Sequence, residues 1–233
     1  PKCINNWFAL NVDYKNDALI PIPLGIANEH WHKKNITSKN NLTKIDISIF
    51  NKEESNVYLN FNESTNREER GWIKNYFNNF SWAEIEKEEL NINEFSEKIK
   101  NATFVICPWG NGVDTHRLWE ALSLGSIPIV KKHITHKNLD GLPIMFVDDY
   151  KQVNEKSLKI FLAKLNNSNN FNLEKLETIF WENLIKGSQN KSNIEKIIKE
   201  KKLIFIYYKI KTYTKSWFKS KMKIFKFYLI KIQ

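Results

Sequence analysis

The chain has 233 residues, 42% of them hydrophobic and 27% charged, which is enough for one large domain, or for one domain with part of another, around a real core. No apolar run reaches the roughly 18 residues that a transmembrane helix needs, and no signal peptide is evident, so the composition favours a soluble body. The net charge of +10 comes from residues 186–233, which hold 14 lysines and two acidic residues. Residues 1–185 carry 22 basic and 24 acidic side chains and are nearly neutral. This distribution argues against specific nucleic-acid binding by the whole chain.

The N-terminal half mixes extended and helical patterns. Prolines and a glycine punctuate "LIPIPLGIANEHW", which predicts an extended connector within residues 1–30, followed by a polar loop at 33–44. The β-forming run "VYLNF" predicts a strand at 57–61. The next stretch, "NESTNREERGWIKNYFNN", predicts a helix with Thr65 as its N-cap, and the apolar spacing after it predicts a second helix over 92–100.

The C-terminal half alternates short apolar runs with amphipathic stretches. The apolar runs predict buried parallel strands at 102–107, 126–130 and 143–149. The amphipathic stretches predict helices at 115–124, 155–165, 172–186 and 191–200. Strands and helices that alternate at this spacing indicate βαβ units. We therefore predict an α/β fold, with a Rossmann-like parallel sheet that has helices on both faces.

The stretch "CPWGNGVDTHRLWEALSLGSIPIV" (107–130) holds three of the seven glycines and lies where a strand ends and a helix begins. Ligands of open parallel sheets bind at that end of the strands. Gly110 and Gly112 would permit a positive φ and a close approach of the backbone to a ligand. The helix N-terminus and Arg117 suit an anion, and Glu120 could accept hydrogen bonds from hydroxyl groups. The pattern predicts a site for a nucleotide diphosphate.

A plainer interpretation of this stretch stays open. The glycines could form only a turn, and Arg117 and Glu120 could form an ion pair at the surface. The loop matches neither the P-loop nor the GxGxxG pattern. Asp114 is expected to cap the helix rather than to act as a base.

As a whole string, "FVICPWGNGVDTHRLWEALSLGSIPIV" resembles the exostosin family of glycosyltransferases. The resemblance consists of a Pro-x-Gly loop, a His-Arg pair, a Glu and a small-residue turn into Ile-Pro-Ile. The segment "IPIPLGIANEHW" is similar to the connector that enters the second domain of these enzymes, and "VYLNFNESTNREER" is similar to the first strand of that domain and the loop after it. The similarity spans residues 7–150 and is strongest over 104–130.

The resemblance implies a GT-B fold, with two Rossmann-like domains across a cleft and the nucleotide-sugar held by the carboxy-terminal domain. The site residues that it implies are Gly110, Asn111, Gly112, His116, Arg117, Glu120, Arg67, Asn62 and Thr65. Arg117 would contact the diphosphate, Glu120 the ribose or the donor sugar, and the loop residues the phosphates. Arg67 is a second candidate phosphate ligand, with a solvated helix start as the alternative. His116 could orient a donor phosphate or pack against Trp119 or Glu120.

The same resemblance implies a division of the chain. Residues 1–30 would be a remnant of the acceptor domain with the interdomain connector, 31–186 the nucleotide-sugar-binding domain, and 187–233 a basic helical tail. Most of the acceptor domain would then be absent, so the catalytic residues stay unassigned. GT-B enzymes generally need no metal, and we expect neither a metal nor a cofactor. His30 and His32 have no third ligand at a suitable spacing.

These observations predict a glycosyltransferase that moves a sugar from a nucleotide diphosphate donor, with UDP and inversion favoured by the resemblance, to a hydroxyl of a glycan or lipid-linked acceptor. The lysine- and aromatic-rich segment 201–233 fits an element on an anionic membrane surface, with a packed terminal helix or a disordered tail as alternatives. The two cysteines, Cys3 and Cys107, suggest a reducing compartment. We therefore expect a protein of the cytoplasm or of the inner membrane face. A non-catalytic nucleotide- or glycan-binding remnant and a membrane-surface interaction protein remain alternatives.

Overall fold

The computed structural model describes residues 5–27, 55–86, 90–167 and 171–188. The chain divides into two compact units, 1–185 and 186–233, and both sheets belong to the first. The predicted loop at 33–44, the predicted helix at 191–200 and the basic tail lie outside the described residues. Within those residues, no helix has both the length and the apolar character that crossing a membrane requires.

The N-terminal segment forms a small parallel sheet of its own, with strands β1 (Trp7–Ala9) and β2 (Leu19–Pro21). Two hydrogen bonds fasten this segment to residues 135–138. The Thr135 hydroxyl donates to the Val12 carbonyl at 2.7 Å. The Asn138 side chain donates to the Pro21 carbonyl at 3.0 Å. The predicted connector is therefore extended, and it is fixed in place by polar contacts.

A five-stranded sheet forms the core of the unit, with strands β3 (Val57–Leu59), β4 (Ala83–Ile85), β5 (Phe104–Ile106), β6 (Ile127–Lys131) and β7 (Met145–Val147). All its strands are parallel, and their order across the sheet is β4-β3-β5-β6-β7. The helices that flank it are α1 (Arg67–Phe77), α2 (Ile92–Asn101), α3 (His116–Ser123), α4 (Glu155–Asn166) and α5 (Thr178–Gly187). The predicted α/β fold with a Rossmann-like parallel sheet is confirmed.

Several details of the predicted elements were wrong. The N-cap of α1 is Asn66, whose side chain accepts from the Glu69 amide at 3.1 Å, so Thr65 does not cap this helix. The helix predicted over 172–186 is instead a 3₁₀ turn followed by α5. Strand β4 was missed, because its three residues are only partly buried or exposed at the edge of the sheet and leave little apolar pattern.

The order of the strands creates a crevice at one position. From β3 the chain passes through α1 to β4 on one side, and through α2 it returns to place β5 on the other side of β3. From β5 the chain passes through α3 to β6, in the direction opposite to the step from β3 to β4. Helices that leave two neighbouring strands in opposite directions open a gap at the carboxyl ends of those strands. The residues after β3 and after β5 therefore border the position at which open parallel sheets bind ligands.

Candidate functional site

A cavity of about 490 Å³ opens at this position, and the residues that line it are Ala27, Phe61, Asn62, Arg70, Pro108, Thr115, His116, Arg117 and Glu120. Its volume falls within the range of roughly 300–1,000 Å³ that is usual for small-molecule sites. Four of the residues singled out from the sequence, Asn62, His116, Arg117 and Glu120, line the same cavity. The lining comes from the loops after β3 and β5, from the first turns of α1 and α3, and from Ala27 at the end of the N-terminal segment.

Arg117 is held in the cavity wall by three contacts. Its Nε donates to Glu120 Oε2 at 3.1 Å, and its Nη1 donates to the Asn60 carbonyl. Its guanidinium also lies over the Phe95 ring, 4.3 Å from the ring centroid. The side chain of Glu120 is only 4% exposed. The ion pair of the plainer interpretation is thus present, but it is largely buried and faces a cavity.

Arg70 is a second arginine of the cavity, and it was not singled out from the sequence. Its Nε donates to the Trp109 carbonyl at 2.8 Å, its Nη1 to the Asn62 carbonyl at 2.9 Å, and its Nη2 to the Pro108 carbonyl at 3.2 Å. These bonds join the loop after β3 to the loop after β5. The residue is 8% exposed. Because Ile73 is also buried on α1, the i,i+3 spacing was the sequence signal that could have identified Arg70.

The two arginines make the cavity electropositive. Burial lowers the pKa of Arg70, and repulsion from the Arg117 guanidinium lowers it further. The hydrogen bonds described for the Arg70 guanidinium go to carbonyl oxygens, which are neutral. Glu120 offsets the charge of Arg117 within the wall, so the charge of Arg70 gives the lining its net positive charge. The cavity is therefore suited to a ligand with a concentrated negative charge.

The glycines of the loop do not have the backbone conformation that was predicted. Neither Gly110 nor Gly112 has a positive φ, so that part of the prediction was wrong. Each is instead closely approached by a side chain of the protein. A Cβ at Gly110 would lie 2.7 Å from Arg70 Nη2, and one at Gly112 would lie 2.7 Å from Asn11 Nδ2. The loop needs glycine because Arg70 and Asn11 occupy the space of a Cβ.

Asp114 fastens the loop to the N-terminal segment. Its carboxylate accepts from Trp119 Nε1 at 2.9 Å and from the Leu24 amide at 2.7 Å. Its own amide donates to Asn11 Oδ1 at 2.7 Å. Burial raises the pKa of this carboxyl group. The N-cap residue of α3 is Thr115, so the capping role expected for Asp114 was wrong.

His116 lines the cavity and also contacts the N-terminal segment. Its Nδ1 donates to the Gly25 carbonyl at 2.7 Å. The sequence offered two roles for His116, orienting a donor phosphate or packing against Trp119 or Glu120, and the hydrogen bond to the connector was not foreseen. His116 therefore helps to join α3 to residues 5–27.

The remaining predicted residues lie outside the described lining of the cavity. Arg67 is the exposed first residue of α1. Thr65 is exposed, and its hydroxyl donates to the Asn62 carbonyl at 3.0 Å within a local turn. Asn111 is exposed between the two glycines. The structure therefore gathers Asn62, His116, Arg117 and Glu120 around the cavity. The other predicted residues are not part of its lining: Arg67, Thr65, Gly110, Asn111 and Gly112.

A neighbouring cluster surrounds Trp109. Lys131 Nζ, at the end of β6, lies 4.6 Å from the Trp109 ring centroid and 3.3 Å from Glu69 Oε2. The His133 ring meets the Trp109 ring edge-on at 5.2 Å. Among the residues that the structure describes, no group of three or more His, Cys, Asp or Glu side chains could hold a metal ion. His30 and His32 lie outside those residues.

The parallel α/β sheet with helices on both faces defines a Rossmann-like domain, and in such domains ligands bind at the switch point of the sheet. The family described as the RXYLT1 C-terminal domain, an exostosin-family glycosyltransferase domain, matches residues 32–225. The chain therefore belongs to this family, and the predicted exostosin relationship is confirmed. The match continues past Asp149, where the motif resemblance fades, into the basic tail. No curated protein matches the chain.

Proposed function

We propose that the cavity binds a nucleotide diphosphate-sugar and that the protein transfers the sugar to a hydroxyl group of a glycan. The observation that carries the proposal is the pair of arginines, Arg70 and Arg117, in the wall of one cavity at the switch point of the sheet. A diphosphate offers several oxygens to such a pair, and arginine matches phosphate geometry well. Membership of a glycosyltransferase family supports the choice of a sugar-carrying diphosphate over other anions.

In the proposed reaction the arginines act on the leaving group. As the acceptor hydroxyl oxygen forms a bond to the anomeric carbon, its proton passes to a general base or to water. The bond from that carbon to the phosphate oxygen breaks, and the nucleoside diphosphate departs with the electron pair. Arg70, Arg117 and the N-terminus of α3 would stabilise the charge that develops on the phosphate, without requiring a metal ion. Glu120, fixed by Arg117, would accept a hydrogen bond from a ribose or sugar hydroxyl. A single displacement of this kind inverts the anomeric centre, and the resemblance favours a UDP donor.

Nucleotide binding tests the donor site directly. Thermal shift measurements with UDP, GDP and their sugars should show stabilisation of the wild type by at least one nucleotide. Arg117→Ala should remove most of this stabilisation. Arg67→Ala, which removes an exposed arginine of the same region, is the matched control and should leave the shift unchanged. If no nucleotide stabilises the wild type, or if Arg67→Ala has the larger effect, the donor site proposed at this cavity is wrong.

A non-catalytic binding protein is a second candidate, and one observation favours it. The carboxylate at the cavity is already engaged, because Glu120 accepts from Arg117, and His116 uses Nδ1 to donate to the Gly25 carbonyl, which leaves Nε2 as its one possible acceptor of a proton. Asp114, beside the cavity, accepts from Trp119 and from the connector. Release of free sugar from a radiolabelled UDP-sugar separates the candidates. Nucleotide binding without any release, and without transfer to added glycans, would support the binding protein.

A further inference from the structure

The backbone of the loop after β5 is attached to the start of α1. Three successive carbonyls of this loop accept hydrogen bonds from α1 or its N-cap. The Pro108 and Trp109 carbonyls accept from the Arg70 guanidinium at 3.2 and 2.8 Å, and the Gly110 carbonyl accepts from the Asn66 side chain at 3.4 Å. These bonds hold Arg70 in the wall of the cavity that it lines with Arg117, which we call the donor cavity. The position of Arg70 therefore depends on the position of this loop.

The side chain of Trp109 attaches the same loop to the end of strand β6. The Lys131 ammonium group lies over its ring, with Nζ 4.6 Å from the ring centroid, and the His133 ring meets it edge-on at 5.2 Å. Strand β6 ends at Lys131. A cation over an aromatic face is attracted to it, and the attraction is strongest for tryptophan. The loop is thus held to α1 through its carbonyls and to β6 through this ring.

Glu69 connects the two attachments of the loop. It precedes Arg70 on α1, and its Oε2 lies 3.3 Å from Lys131 Nζ. The Glu69 side chain is 11% exposed, so solvent screens this ion pair less than a pair at the surface. Glu69 Oε1 and Trp109 Nε1 are buried, and the described residues supply no hydrogen-bond partner to either atom. Lys131 therefore provides a charged contact to both side chains.

We propose that Lys131 is a positioning residue of the donor cavity, which acts on Arg70 through the Trp109 ring and the loop carbonyls. Neither Lys131 nor Trp109 belongs to the described lining of the cavity, so the effect passes through the loop and not through contact with the ligand. A guanidinium that is already oriented loses less conformational freedom when an anion binds, and the anion binds more tightly. The effect on nucleotide binding rests on the proposed function, whereas the attachment of the loop does not.

Hydrogen exchange of the ligand-free full chain, followed by mass spectrometry, tests the attachment of the loop. Lys131→Met keeps the aliphatic stem without the charge, and Lys131→Arg keeps a cation over the ring. Lys132→Met is the matched control, because Lys132 is the next residue and its pair with Asp148 is exposed. In Lys131→Met the amides of residues 109–112 should exchange about five-fold faster, while those of β5 keep the wild-type rate. Lys131→Arg and Lys132→Met should match the wild type in both segments.

Nucleotide affinity, measured by calorimetry with UDP, or with GDP if only GDP stabilises the wild type, tests the effect on Arg70. Lys131→Met should weaken binding about five-fold, and Lys131→Arg and Lys132→Met should bind as the wild type does. Trp109→Leu removes the ring through which Lys131 acts. The double variant Trp109→Leu/Lys131→Met should therefore bind the nucleotide no more weakly than Trp109→Leu alone.

Three results would overturn the inference. One is unchanged exchange of the loop in Lys131→Met, and another is equal acceleration in the loop and in β5, which would mean that the whole domain is destabilised. The third is that the losses of affinity in the double variant add, which would mean that Lys131 acts on the nucleotide without Trp109. If the wild type binds no nucleotide, the proposed donor site fails, and the exchange rates still decide whether Lys131 places the loop.

Discussion

Gly110 lies where any side chain would collide with Arg70. A Cβ there would be 2.7 Å from Arg70 Nη2, and that guanidinium is held by three carbonyl oxygens. We therefore expect Gly110→Ala to displace the guanidinium, to lower the free energy of unfolding by about 1–3 kcal/mol and to weaken nucleotide binding several-fold. Urea denaturation and thermal shift with UDP measure the two effects.

Gly71 provides the matched control for this substitution. It lies inside α1, and a Cβ at this position would have no neighbour within 4 Å. Gly71→Ala should therefore raise the free energy of unfolding by about 0.5–1 kcal/mol, because alanine loses less conformational freedom in a helix. A Gly110→Ala protein with unchanged stability and unchanged nucleotide binding would show that Arg70 can move away at little cost.

The site residues differ in how far the sequence could identify them. Arg117 and Glu120 stand in a distinctive motif, and the structure places both in the cavity wall. Arg70 has no motif, since its role depends on carbonyl oxygens that only the folded loops bring to it. Arg67 has the same chemistry three residues earlier, but its position on α1 leaves it exposed. Which of two arginines faces a cavity is decided by the packing of the helix, and local sequence carries only part of that information.

At the scale of elements, Asp114 links α3 to the N-terminal segment. Asp114→Ala would leave the Trp119 indole N–H and the Leu24 amide without their acceptor. An unpaired buried donor costs roughly 1–3 kcal/mol, so we expect a loss of about 2–4 kcal/mol in the free energy of unfolding and faster proteolysis within residues 5–27. Urea denaturation and limited trypsin digestion measure these changes. Asp148→Ala is the control, because its exposed pair with Lys132 should contribute less than about 1 kcal/mol. Equal free energies of unfolding for Asp114→Ala and Asp148→Ala would contradict the proposed role of Asp114 in linking α3 to the N-terminal segment.

The turn after β6 introduces a dependence of stability on pH. His136, in the turn Ile134–His136, is 4% exposed, and burial together with His133 lowers its pKa to about 4. The unfolded chain, with a histidine pKa of about 6.5, binds this proton more tightly than the folded protein. The stability that the neutral His136 provides is therefore complete above about pH 6.5 and is lost as the pH falls towards 4, by roughly 2–3 kcal/mol.

Urea denaturation between pH 4 and 7 checks the contribution of His136. Other groups also titrate in this range, so the measured quantity is the difference between wild type and a variant. The His136 ring lies beside the Phe146 ring. The His136→Phe variant would place a ring without a titrating group there, so its loss of stability at low pH should be smaller than that of the wild type. His133→Asn retains His136 and should keep most of the dependence. If the free energy of unfolding falls equally with pH in the wild type and in His136→Phe, then His136 is not the cause of the loss of stability at low pH.

Prediction of the elements succeeded where burial was complete. Strands β3 and β5 are buried along their whole length, and a strand that packs on both faces needs a continuous apolar run, which is visible in the sequence. Strand β4 has no such run, because it is short and partly exposed. Strands β1 and β2 do lie in apolar runs, but the prolines of the second run indicate an extended connector rather than a sheet. Helices α2 and α4 begin where they were predicted to begin. The N-cap of α1 and the start of α3 were displaced by one residue, since neighbouring Asn, Thr and Asp side chains compete for the same cap.

At the scale of the whole molecule, the charge is concentrated at the C-terminal end. Residues 186–233 hold 14 lysines and two acidic residues, interleaved with aromatic and aliphatic side chains. Each lysine near an anionic membrane surface contributes about 1 kcal/mol of attraction. We expect the full chain to sediment with vesicles of phosphatidylserine and phosphatidylcholine at low salt, but not with vesicles of phosphatidylcholine alone. Raising the salt concentration should release it, because screening shortens the range of the attraction.

Substitutions at four lysines can separate the effect of positive charge on membrane binding from the effect of the apolar side chains of this segment. The family match includes residues up to 225, so removing the whole segment would also remove part of the matched domain. Replacing Lys215, Lys219, Lys221 and Lys223 by Gln removes four positive charges and leaves the rest of the chain intact. The same four positions replaced by Arg keep the charge. The Gln variant should lose most of its binding to anionic vesicles while the Arg variant retains it. Equal sedimentation of the two would show that apolar contacts, and not lysine charge, hold the protein on the membrane.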